Sequence, residues 1–236
     1  MIDFGKCFTF AIDRFKANPA FYIVTGLFTL LIPCIISFGI NFVVGFMLAG
    51  ISRALNMNLI IANILVQAVG VIIGIFVSSL IVAPVLAAFF RDMESENKGE
   101  NVQPASLINC FGSFSQTALA YFISSIIVSI GTLFCVIPGI LLSPIVPMSI
   151  FFVSRGDNSR DAIKKSFDIL MSNPMTILYT ILFFLIASVG LLACCIGVIV
   201  TMPIAYAAFY KMMKQVLGED GSPASPETPA QIKAAI

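Results

Sequence analysis

Leu59-Ile-Ile-Ala-Asn-Ile-Leu-Val-Gln-Ala-Val-Gly-Val-Ile-Ile-Gly-Ile-Phe-Val-Ser-Ser-Leu-Ile-Val-Ala-Pro-Val-Leu-Ala-Ala-Phe-Phe90 holds no charged residue, and Arg91-Asp-Met-Glu94 follows it directly. A charge at the centre of a bilayer costs roughly 2.5–3.5 kcal/mol, whereas a Leu or Ile there gains a few tenths. The apolar residues run on without alternating, which is the pattern of a membrane-crossing helix and not of a barrel strand. As one straight helix the stretch would be about 48 Å long against about 30 Å of hydrocarbon. It must therefore tilt, kink or project, with Pro84 the kink point here and Pro33 in the span before it.

The same segregation extends outward from this stretch. All charged residues but Arg53 fall into four clusters, Asp3 to Lys16, Arg91 to Glu100, Arg155 to Asp168 and Lys211 to Lys233. Overall the chain is 59% hydrophobic and only 11% charged, against about 25% charged in soluble domains. Six spans are predicted, roughly 20–50, 59–90, 117–137, 139–154, 175–192 and 196–212, within a membrane domain covering 1–217. Gly218 onward is rich in Pro and Ser and reads as a disordered tail, 218–236. Asp3, Lys6, Asp13, Arg14 and Lys16 interrupt the start of the chain, so the first span is expected to stay rather than be cleaved as a signal peptide.

Orientation follows from Lys and Arg. Twelve lie in the four clusters and Arg53 alone lies on the other side. The positive-inside rule places both termini in the cytoplasm.

The chain also repeats itself. A gapless shift of 155 residues pairs Asp13 with Asp168, Asn18 with Asn173, Pro19 with Pro174 and Thr25 with Thr180. An amphipathic stretch precedes each Asn-Pro: Phe4, Phe8, Ala11 and Phe15 line one, and Ile163, Phe167 and Leu170 the other. The unit is read as an interfacial helix (3–17, 105–114 and 159–172) followed by a hairpin, used three times. The hairpin exits repeat as Pro84 to Arg91, Pro147 to Arg155 and Pro203 to Lys211. Each is read as a proline kink, aromatics at the headgroup level and a terminal cation.

Several residues stand out within the spans. Gly70, Gly74 and Ser78 form a small-residue ladder that lets another backbone approach. Asn63 and Gln67 on the second span, with Tyr121, Ser125, Ser129 and Thr132 on the third, hydrogen-bond between helices or line a path. Pro138-Gly139 opens the fourth span, and Pro144 and Pro147 interrupt it. Arg160, Lys164 and Lys165, together with Arg91 and Lys211, are candidates for contact with lipid headgroups or a partner.

Function classes narrow by exclusion. There is no histidine, and the spans hold no acid or cation to serve catalysis or ion coupling. A net charge of +1 gives no case for nucleic acid. No cofactor or metal site is expected. The six cysteines read as packing residues, and Cys135 could pair with Cys194 or Cys195. Val136-Ile-Pro-Gly-Ile140, Ala162-Ile-Lys-Lys-Ser-Phe167, Asn173-Pro174, Gly190 through Gly197 to Pro203 and Tyr210-Lys211 resemble a family of bacterial membrane proteins. That family includes the stand-alone YciC-like proteins and the membrane region fused to some glycerophosphodiester phosphodiesterases. The resemblance is strongest from about Leu119 to Lys214. It implies a six-helix membrane domain without an established activity, the phosphodiesterase chemistry belonging to a separate barrel that uses His and acidic residues. The expectation is a non-enzymatic protein that organises the membrane or serves a membrane complex. Its partners would be lipids, another membrane protein or a second copy. The alternative is a transporter or lipid-translocating protein working through the broken fourth span.

Overall fold

The computed structural model describes residues 2–54, 59–100, 102, 107, 114–190 and 196–219, and among them all regular structure is helical. The expected interfacial helix at 105–114 falls almost entirely outside these residues. So do the turn at 55–58, Cys110, Cys194, Cys195 and the tail from residue 220. Cys135 carries a free, exposed thiol.

The chain opens with α1 (Phe4–Ala17), capped by Asp3, whose side chain accepts from the Lys6 amide. Asn18 breaks it, and Pro19 starts α2 (Pro19–Gly26) at a position where a missing N–H costs nothing. A π-helical turn, Leu27–Leu31, then leads into α3 (Ile32–Ala54). The wider turn lies just ahead of Pro33, which has no donor for the carbonyl of Thr29. The helix α4 (Leu59–Asn97) runs for 39 residues straight through Pro84. Next come α5 (Phe114–Phe134), α6 (Val136–Leu142) and α7 (Ile145–Ser154). The chain ends with α8 (Ser159–Ser172), α9 (Pro174–Val189) and α10 (Ile196–Val216).

Four stretches are long and apolar enough to cross a membrane: Pro19–Met47, Gln67–Asn97, Phe114–Phe134 and Val136–Ser154. A fifth is the pair of α8 and α9 taken together, bent by 103° at Asn173. That bend is what an amphipathic surface helix turning into a span would produce.

The repeat is visible in the backbone. Both α1 and α8 have 14 residues, and α8 begins and ends 155 positions after α1. The buried contacts follow the same register. Cys7 and Ala11 of α1, and Ala162 and Ser166 of α8, are all at 0% exposure. These small residues let α1 lie close on α10, and α8 close on α7. Phe167 and Met171 point the other way and are exposed. The buried face of α8 is thus Ser159, Ala162, Ser166, Ile169 and Leu170, rotated from the Ile163–Phe167 face read from the sequence.

Packing is uneven along the helices. The core lies at the end that carries the charges, where Val82 to Phe90, Pro147 to Val153 and Ala207 to Leu217 are almost wholly buried. At the opposite end the helices offer large apolar side chains outward, including Phe38 at 76%, Phe46 at 78% and Leu133 at 86% exposure. Side chains of this kind are stable only against hydrocarbon.

Candidate functional site at the charged end

Three helices, α4, α7 and α10, return to the charged end and bring their last turns together. Phe89, Phe90, Phe151, Phe152, Phe209 and Tyr210 are each at most 2% exposed. Ring centroids lie 5.8 Å apart for Phe90–Phe151, and 6.0 Å for both Phe90–Phe209 and Phe151–Tyr210. The expected belt of aromatics facing headgroups is therefore an aromatic core inside the protein. The reason is the convergence of the three exits, so that Phe90, Phe151, Phe209 and Tyr210 meet rings from another helix before they can meet lipid.

A layer of charge caps this core. Glu94 accepts hydrogen bonds from the Tyr210 hydroxyl and, at 3.2 Å, from the Lys214 ammonium. Glu219 pairs with Arg155 at 2.8 Å and lies 3.9 Å from Lys214. The chain Arg155–Glu219–Lys214–Glu94 ties the exits of α7, α10 and α4. Burial disfavours the Arg155 cation, but the hydrogen bond and charge of Glu219 outweigh that and raise its pKa. Around the rim, Arg14 of α1 reaches Glu96 of α4 at 3.1 Å, and Lys165 reaches Asp157 at 2.9 Å.

Between the final turns of α4 and the α7 exit lies a cleft of about 290 Å³. Arg91, Glu94, Ser95 and Lys98 form one wall, with Ser154 and Arg155 opposite, over a floor of Phe90, Phe151 and Tyr210. The spacing Arg91, Ser95, Lys98 keeps all three on one face of α4. The arrangement offers guanidinium, ammonium and hydroxyl donors around one open space, which suits an oxyanion.

The other residues singled out in the sequence distribute as follows. Arg160 and Lys164 are exposed on α8. Lys165 is engaged by Asp157 and lies 5.8 Å from the Phe152 ring, and Lys211 lies 5.0 Å over Phe10 of α1. Both of these cations therefore work within the fold. On α4, Gly70 is used, since a Cβ there would lie 2.5 Å from the Asn41 side chain of α3. Gly74 faces open space, and Ser78 is half-buried. The side chain of Asn63 is outside those described. Gln67 and Ser129 share a second cleft of about 620 Å³ between α4 and α5, otherwise lined by aliphatic side chains such as Ile72, Ile126 and Leu133. Tyr121 packs on the core, and Ser125 is half-buried beside it.

Spans three and four meet closely at both ends. A Cβ on Gly139 would fall 2.1 Å from the Thr132 hydroxyl oxygen, and the buried hydroxyls of Ser124 and Ser149 are 2.9 Å apart. Pro138 sits in the first turn of α6. The break in this span is at Ser143-Pro144, whereas Pro147 falls in the first turn of α7, where no intrahelical donor is needed. Ser124, Ser149 and Glu94 escaped the sequence reading, as did Gly26, where a Cβ would lie 1.8 Å from the Ile199 carbonyl oxygen. That carbonyl is the one Pro203 deprives of a helical donor.

No protein-family model, curated protein or solved structure matches this chain.

Proposed function

We propose that this is a six-span, non-enzymatic protein of a bacterial inner membrane that organises the membrane or acts as a subunit of a membrane complex. In this reading α9 and α10 supply the fifth and sixth spans, and the charged end and both termini face the cytoplasm. The Lys and Arg asymmetry supports that orientation. The resemblance to the YciC-like family fits the same assignment.

The observation that carries the reading is the direct contact between the third and fourth spans. Gly139 lies on Thr132 at one end and Ser124 meets Ser149 at the other, where a transport path would need a wet gap. The test is purification in mild detergent followed by mass spectrometry of proteins and lipids. A membrane-protein partner in fixed ratio is the expected result. Solute or lipid movement by the protein reconstituted alone would overturn it.

One observation favours the second reading, a transporter or lipid-translocating protein. The cleft between α4 and α5 places Gln67 and Ser129 among aliphatic residues at the level of the bilayer. In that case replacing Gln67 with Leu should abolish movement of the substrate.

A further inference from the structure

We infer that the 290 Å³ cleft at the charged end is a binding site for a single phosphate group, presented by the headgroup of an anionic membrane lipid. The inference rests on the reading that this end lies at the inner headgroup layer.

The first argument is the distribution of partners. Arg14, Arg155, Lys165 and Lys214 each hold a carboxylate within 3.2 Å. Arg91 and Lys98, which line the cleft, make no ion pair among the described residues. Lys16, Arg160 and Lys164 are unpaired among the described residues as well, and Arg91 and Lys98 are exposed like them; what sets these two apart is that they line one cavity together. Glu94, the acid in the same wall, has its charge taken up by Tyr210 and Lys214. Arg155 is already spent on Glu219, so Arg91 and Lys98 set the local excess of positive charge.

The second argument is geometry. Lys98 directly follows the last residue of α4, seven positions and about 10 Å beyond Arg91 along the helix axis, with Ser95 between them; across the cleft the Ser154 hydroxyl is already donated to the Phe151 carbonyl at 2.7 Å. The Arg91 guanidinium, the Lys98 ammonium and the Ser95 hydroxyl lining one space match the several oxygens of a phosphate better than the two of a carboxylate. The cleft is at the small end of ligand pockets, large enough for a headgroup and too small for a whole lipid. Its floor points to the source. Phe90 and Phe151 close the cleft off at 1% and 0% exposure, so the rest of the ligand must lie outside it, in the headgroup layer that the proposed orientation puts there.

The test uses the full chain in neutral-detergent micelles and reads thermal denaturation. Micelles are doped with phosphatidic acid, phosphatidylglycerol or phosphatidylcholine, and inorganic phosphate is titrated into plain micelles. The anionic lipids should raise the midpoint, and phosphatidylcholine and inorganic phosphate should not. The double variant Arg91→Gln/Lys98→Gln should weaken the effect about thirty-fold in lipid concentration, a factor of about five for each cation. Arg160→Gln/Lys164→Gln, on the exposed face of α8, should leave it unchanged. Equal loss in both variants would mean a diffuse cationic surface and overturn the site. Stabilisation by inorganic phosphate as strong as by lipid would overturn the lipid as source, and no stabilisation by any probe would overturn the site altogether. Micelles have no sides, so failure here is separate from failure of the orientation, which labelling in cells reads independently.

Discussion

Asn18 and Asn173 hold the same irregular backbone conformation, φ −142° and ψ 67° in one, φ −130° and ψ 79° in the other. Each stops a 14-residue amphipathic helix, and each is followed by a proline that starts the next helix in a new direction. Thr25 and Thr180, at the same offset beyond, are both buried and return their hydroxyls to the carbonyl four residues before. The two copies therefore share backbone, register and the small buried residues that allow α1 and α8 to lie against the bundle.

Those small residues make a direct prediction. Cys7→Leu and Ala162→Leu should each destabilise the protein by about 1–3 kcal/mol, because the added volume has no room at 0% exposure. Phe167→Asp should leave the midpoint of unfolding in detergent unchanged and weaken association of α8 with bilayers, since its ring is exposed. A Phe167→Asp protein that unfolds as easily as Ala162→Leu would show that the packed face has been misassigned.

The Asn-Pro junctions and the broken fourth span were legible because their cause is local. A proline removes a donor wherever it stands, and its neighbours must respond. The aromatic core was not legible, since Phe90 beside Arg91 reads the same whether the ring meets a headgroup or the Phe151 ring. Only the convergence of α4, α7 and α10 decides between them. Gly26 shows the same limit. Its partner, Ile199, is 173 residues away in sequence, and no periodicity links the two. Of the cleft, only Arg91 was singled out from the sequence, within a segment of mixed charge, because the opposite wall comes from the α7 exit.

Glycine substitutions should separate close approach from open space. Gly26→Ala and Gly139→Ala each drive a Cβ into a neighbour, with 1.8 Å to Ile199 and 2.1 Å to Thr132. Each should cost at least about 1–3 kcal/mol. Gly74→Ala meets nothing within 4 Å and should be neutral or slightly stabilising through helix propensity. Thermal unfolding of the three variants checks this, and equal losses in all three would contradict the packing described.

The cap of α1 carries a pH dependence. The Lys6 amide hydrogen bond holds the Asp3 pKa below its ordinary 3.8, aided by the Lys6 charge and working against desolvation. With the folded value depressed, the contribution of Asp3 is complete above about 3.8 and is lost as pH falls through the folded value. Amides in the first turn of α1 should exchange faster below that range, after correction for intrinsic rates. Asp3→Asn should keep the cap and remove the pH step, whereas Asp3→Ala should expose the Cys7 thiol at neutral pH. A Cys7 that stays protected in Asp3→Ala would argue that packing on α10 alone holds the helix.

Orientation is open to cysteine labelling on a background lacking the native cysteines. A cysteine at Arg160, exposed on α8, should react with an impermeant reagent only after the membrane is opened. One at Val136, at the far end of the second hairpin and exposed, should react in intact cells. The reverse pattern would place the charged end outside and remove the proposed topology.

The break in the fourth span is expected to be a fixed bend. Pro144 deprives the Ile140 carbonyl of its helical donor, and Pro147 does the same to the carbonyl of Ser143. Both are satisfied locally. Ile140 accepts from the Ser143 amide at 3.2 Å and from the Ser143 hydroxyl at 2.7 Å, and the Ser143 carbonyl accepts from the Val146 amide at 3.3 Å. The two carbonyls the prolines strand are thus engaged and do not drive a second arrangement. Pro144→Ala and Pro147→Ala would supply donors to carbonyls already engaged, so each should change stability by no more than about 1 kcal/mol. Ser143→Ala should cost about as much by withdrawing the shorter bond to Ile140. Spin labels at the charged ends of α4 and α7 should report one distance in the unmodified protein and in the double proline variant. Two populated distances that collapse to one in the double variant would make the break a gate and favour transport.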